Sequence, residues 1–177
     1  MLPKKLKIFI IAICVLFICF VVNVKISTWY PDFTREVKSL DQIEFQVLNL
    51  EELDGTSNIV NREYLESRRL FSDAIGYIQN FEYEKDGITY SMSISSNYGT
   101  YQFSTKPDEI YKNVDIHSHY YNGEQGLVYS YEVIANIDEY PYVVSCDVNK
   151  DAFENKDIAI EKTKEIAYEF MYQLIER

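Results

Sequence analysis

The sequence predicts an α+β protein: an antiparallel β-sheet of hairpins with two amphipathic helices on one face, preceded by one N-terminal transmembrane helix. Three observations predict it. Ile8 to Val24 is an uncharged, almost wholly apolar run. The middle of the chain alternates apolar and polar residues around two turn-forming pairs, Asp86-Gly87 and Asn122-Gly123. Two stretches, near 60–79 and 157–176, repeat apolar residues at three- and four-residue spacing.

The apolar run comes first. At about 1.5 Å per residue it spans roughly 25 Å as a helix, a little short of a bilayer's hydrocarbon core. Lys7 and Lys25 flank it, and their stems let the charges reach outward to water. Lys4, Lys5 and Lys7 favour a cytoplasmic N-terminus, and Trp29 and Tyr30 sit where an interfacial belt belongs on the far side. The competing reading is a cleaved signal peptide. That needs small residues at the exit, whereas Cys19-Phe20-Val21-Val22-Asn23-Val24 is mostly large. The expected division is therefore a cytoplasmic stub and anchor over 1–28 and an extracytoplasmic α+β domain over 29–177. The lipid bilayer is a partner through residues 8–24.

Charge follows the same division. All 28 acidic residues lie at or after Asp32, while four of the 17 basic ones precede Ile26. The outer portion thus holds 13 basic against 28 acidic residues, a net of −15. Nucleic acid and anionic lipid both need a basic surface, so neither is expected to bind it. A basic protein partner suits it, as does plain solubility. Cys146 is the one cysteine outside the apolar run, so no disulfide within the domain is expected.

Within the domain, residues 27–41 read as a tether. Ile43, Phe45 and Val47 alternate, suggesting a strand near 42–50. Val60, Tyr64, Phe71, Ala74, Ile75 and Ile78 then suggest an amphipathic helix over 60–79, with Asn58 as its N-cap. Across Asp86-Gly87, Tyr83 should face Tyr90 and Phe81 should face Met92. Tyr101 to Phe103 reads as a further short strand. Across Asn122-Gly123, Ile116 should face Tyr129 and Val114 should face Tyr131. Asp138-Glu139 should turn the chain into Tyr140–Cys146, with Pro141 weakening the start of that strand. Ala159, Ile166, Ala167, Phe170, Leu174 and Ile175 form the stripe of a final helix over 157–176, with Asp151 and Glu154 as a box-like capping pair.

Helices on one side of such a sheet leave the other side polar. That open face is the candidate site, and its residues are His117, His119, Tyr121 and Glu132, read as partner-binding. Other chemistries are weaker. His117 and His119 share a strand face with Asp115, but a zinc site needs three or four converging ligands, and two surface histidines are the simpler reading. Asp147-Val148-Asn149-Lys150-Asp151 begins like a calcium loop, then has Ala152 where glycine is needed and Ile158 where the bidentate glutamate belongs. Cys146 has core parity, opposite to the histidines, so a thiol–imidazole pair is not expected. No nucleophile elbow or phosphate-binding glycine loop is present. No enzyme activity, metal or cofactor is expected. The 16 tyrosines suit both strands and interfaces; most have core parity, leaving Tyr98 and Tyr121 as surface candidates.

The anchor Ile8–Val24 with its lysine flank, the acidic cysteine-poor outer domain and the open-faced antiparallel sheet together resemble the TipC-type membrane-anchored immunity proteins. These accompany type VII secretion toxins of Gram-positive bacteria. The resemblance is one of architecture over the whole chain, with no motif matched residue by residue. It implies a single-pass membrane protein whose outer domain neutralises a secreted antibacterial toxin. The alternative is a structural subunit of a cell-envelope secretion or conjugation machine, which uses a similar plan.

Overall fold

The computed structural model describes residues 6, 10–20, 33–36, 58–68, 74–97, 100–123, 126–138 and 140–177. The strand expected near 42–50 lies outside the described residues. Among these residues eight strands form one antiparallel sheet: β1 (Phe33–Glu36), β2 (Ile59–Arg68), β3 (Ala74–Lys85), β4 (Ile88–Asn97), β5 (Glu109–Tyr111), β6 (Val114–Gly123), β7 (Val128–Ile137) and β8 (Tyr140–Asn149). Their order is β1-β2-β3-β4-β8-β7-β6-β5. Two four-stranded meanders are thus joined through the β4–β8 pair, and the chain from Asn97 to Glu109 crosses from the sheet centre to its far edge. Part of the stretch read as a tether is the edge strand β1, paired with β2.

The first hairpin has the expected register. Tyr83 pairs with Tyr90 and Phe81 with Met92. Asp86 (φ 54) and Gly87 (φ 78) both take the left-handed backbone that a type I′ turn requires.

The second hairpin does not turn at Asn122-Gly123. Gly123 pairs with Val128, and Ile116 pairs with Ala135 rather than Tyr129. The connection lies between Gly123 and Val128, and Gly126 within it has φ +80. Neither Asn122 nor Gly123 has a positive φ, so the type I′ geometry is absent there. The slip is six residues, an even number, and therefore preserves which side chains face inward. A type I′ reversal that sequence reasoning missed lies at Lys112 (φ 49) and Asn113 (φ 67), between β5 and β6.

The helix expected over 60–79 is replaced by β2 and β3, so among the described residues one helix, not two, covers the sheet. The cause of the misreading is a bulge. The register of β2 against β3 shifts between Val60 and Glu63, with Asn61 at φ 52. Inward-facing Ile59 and Tyr64 are consequently five apart, which hides the period of two. Polar residues at inward positions, Glu66 and Gln79, weaken the alternation further; both are buried.

The remaining helix, α2 (Lys156–Glu176), follows β8 after a single 3-10 turn at Lys150–Ala152. Its cap is Asn155, whose side chain accepts from the Asp157 and Ile158 amides; the expected Asp151–Glu154 box does not form the cap. Ala159, Ile166, Ala167, Phe170, Met171 and Leu174 are all buried against the sheet. Phe170 meets Phe81 at 5.2 Å and Tyr83 edge-on at 5.4 Å between ring centroids. Tyr142, Val144, Cys146 and Val148 of β8 lie beneath with Val133 and Ala135 of β7. Burial pushes the Cys146 thiol well up, so it stays protonated and unreactive. Pro141 pairs with Asn136 one residue before the β4–β8 pairing begins at Tyr142. Its missing N–H falls where neither ladder needs it.

At the other end of the chain, residues 10–20 form a helix, α1, with exposed apolar side chains that include Leu16, Phe17 and Phe20. No helix among the described residues is long and apolar enough to cross a membrane. The expected transmembrane helix over 8–24 is therefore not supported; the flanks of that run lie outside the described residues.

Candidate functional site

The face of the sheet opposite α2 is built by strand parity. His117, His119 and Tyr121 on β6 stand across from Ile134, Glu132 and Ser130 on β7. Glu132 and Ser130 stand across from Ser145 and Asp147 on β8, and these from Ser93 and Ser91 on β4. Asn80 and Glu82 on β3 continue the row.

Glu132 is the centre of this face. Its Oε1 accepts from the Tyr121 hydroxyl at 3.1 Å and from Ser145 Oγ at 3.0 Å. Its Oε2 lies 3.1 Å from His119 Nε2. Burial, aided by the Glu132 charge, raises the Tyr121 phenol above its ordinary value, so it remains a donor at neutral pH. The His119 side chain is 53% exposed and that of Glu132 24%. The imidazole is thus presented to solvent on a carboxylate fixed from three sides.

The structure brings together three of the four expected site residues, His119, Tyr121 and Glu132. It sets His117 apart. His117 is buried beneath Phe103, whose ring stacks on it. Tyr101 stacks in turn on Phe103, and its backbone N–H and C=O bond reciprocally to the Asn136 side chain. The expected strand at 101–103 is thus an irregular segment of the crossover, lying over the end of the polar face. Tyr98 lies outside the described residues.

Two elements of the site were not anticipated. Ser145 joins Glu132 directly, and its parity opposite Cys146 made it legible in the sequence. Between β2 and β3, Asn61 donates to Glu82 and Asn80 to Glu63. Between these and Ser93, Ser145 and Asp147 runs a shallow groove of about 330 Å³. The partners of this region depend on the β2 bulge, which no local signal marks.

Among the described residues no group of three or more His, Cys, Asp and Glu side chains is placed to hold a metal ion. In the segment with calcium-loop spacing, Asn149 Oδ1 accepts from the Asp151 amide and terminates the strand instead. The polar face offers fixed acceptors, an imidazole and hydroxyl donors, a chemistry suited to hydrogen bonding and charge pairing with another surface. No family model matches the chain, and neither the curated proteins nor the solved structures hold a match to it.

Proposed function

We propose that the chain is a membrane-tethered, extracytoplasmic protein-binding domain, acting as an immunity protein that neutralises a secreted antibacterial toxin. The observation that carries this reading is the polar sheet face opposite α2, on which His119, Tyr121 and Ser145 converge on Glu132. Glu63, Glu82 and Glu132 on that face, with the net charge of −15 from Asp32 onward, select a basic partner. The exposed apolar side chains of α1 and the lysines before it support attachment to a membrane with Met1 in the cytoplasm and Arg177 outside.

The test pairs protection with folding. Glu132→Lys, His119→Glu and Tyr121→Ala should abolish a cell's protection against the toxin encoded beside this gene, while circular dichroism stays native. Full protection by all three variants would overturn the reading of this face. Protease added to intact cells should remove a tag at Arg177, and a fully protected tag would overturn the exported topology.

A further inference from the structure

The layer occupied by α2 holds a second concavity. A groove of about 700 Å³ lies between α2 and the β5–β7 end of the sheet. Tyr131, Tyr168 and Tyr172 line it, and Glu109, Asp157, Glu161 and Glu165 add four carboxylates. Its rings are held in place. Tyr168 donates to Ser118 Oγ at 3.1 Å, and Ser118 is itself fixed by Asp108. The Tyr172 hydroxyl reaches both oxygens of Glu109, at 2.8 and 2.9 Å, and the Tyr172 ring packs on Tyr111 at 4.5 Å.

Lys164 is the one basic residue of the lining among the described residues, and its Nζ sits 5.5 Å from the centroid of the Tyr168 ring. The same contact recurs nearby, with Lys150 over Tyr129 at 4.9 Å and Lys156 over Tyr120 at 5.5 Å. Tyrosine faces on this side of the molecule therefore already hold cations, and Lys164 holds the place that a ligand's cation would take.

We propose that this groove receives an arginine side chain presented by a basic peptide segment. A guanidinium stacks on a tyrosine face and donates two parallel hydrogen bonds to a carboxylate, matching both chemistries of the lining. Glu165 pairs with Lys162 at 2.7 Å, and the remaining carboxylates of the described lining still outnumber its lysine, which disfavours phosphate and carboxylate ligands. The volume lies within the range of sites that enclose a small ligand. The groove is on the opposite side of the sheet from Glu132, so it is separate from the polar face and independent of the toxin-binding reading.

The test titrates the full chain, in an uncharged detergent, with a capped glycine peptide bearing one central arginine, followed by NMR. The same peptide with citrulline in place of arginine keeps the shape and removes the charge. The arginine peptide should bind about tenfold tighter, with shifts centred on Tyr168 and Tyr172. Glu161→Gln with Glu165→Gln, both exposed positions, should weaken it by roughly fivefold to tenfold. Lys164→Gln should tighten it by about threefold or more, whereas Lys106→Gln, an exposed control, changes it little. Glu132→Gln should leave it unchanged. No binding, equal binding of the citrulline peptide, or equal gains from Lys164→Gln and Lys106→Gln would overturn the proposal. The last result would mean general attraction to an acidic protein.

Discussion

Phe103 lies flat on His117, with ring centroids 3.7 Å apart and planes 10° from parallel. This contact fastens the crossover between the two meanders to the outer face of β6. It also removes His117 from solvent and leaves the exposed chemistry of the face to His119, Tyr121 and Glu132.

Phe103→Ala should therefore destabilise the fold by about 2 kcal/mol, from lost burial and lost stacking, read by denaturant unfolding. Diethyl pyrocarbonate should modify His119 before His117 in the native protein, and both alike in the variant. Equal reactivity in the native protein would mean that the stack does not persist in solution.

Inward and outward residues of β6 should separate cleanly. Ile116 is wholly buried, and Ile116→Ala should cost about 2–5 kcal/mol. His119→Ala, at an exposed pair, should cost less than about 1 kcal/mol. Thermal unfolding of the two variants side by side checks it, and the reverse order would place the strand one residue out of register.

Asn155 rather than Asp151 starts α2. Asn155→Ala should lower stability by about 1 kcal/mol through the unsatisfied first-turn amides. Asp151→Ala should stay within about 0.5 kcal/mol. Equal losses at the two positions, measured by urea unfolding, would restore the capping box expected from sequence.

High pH should unfold the domain through its tyrosines. Burial pushes Tyr90 up to about 12 from the ordinary phenol value of 10.0, and burial with the Glu109 hydrogen bond raises Tyr172 as well. The native state holds these protons above the pH at which the unfolded chain releases them. Their contribution is thus full below about 10 and is lost as pH rises from there toward 12. A tyrosinate absorbance titration should show an early exposed fraction, then a late, cooperative step coincident with loss of circular dichroism. Titration of every tyrosine near the ordinary value with the fold intact would contradict the burial.

What the sequence determined by itself is what local chemistry controls. Asp86-Gly87 carries its own turn geometry, so the pairing of Tyr83 with Tyr90 was readable in advance. The apolar stripe of α2 was readable because a helix repeats its pattern within one element. Inward and outward parity on β6, β7 and β8 was also legible, and with it the grouping of His119, Tyr121 and Glu132. The tertiary structure decided the rest, because those choices depend on partners distant in the chain. The bulge at Asn61 lets β2 follow β3 and makes a strand look helical. Asn122-Gly123 has a favoured hairpin sequence, yet the pairing of β7 with both β6 and β8 keeps it within β6, with Gly123 opposite Val128. The burial of His117 depends on Phe103, fourteen positions earlier, returning over the sheet. Residue order records neither that return nor the groove closed by Tyr168 and Tyr172 against Glu109.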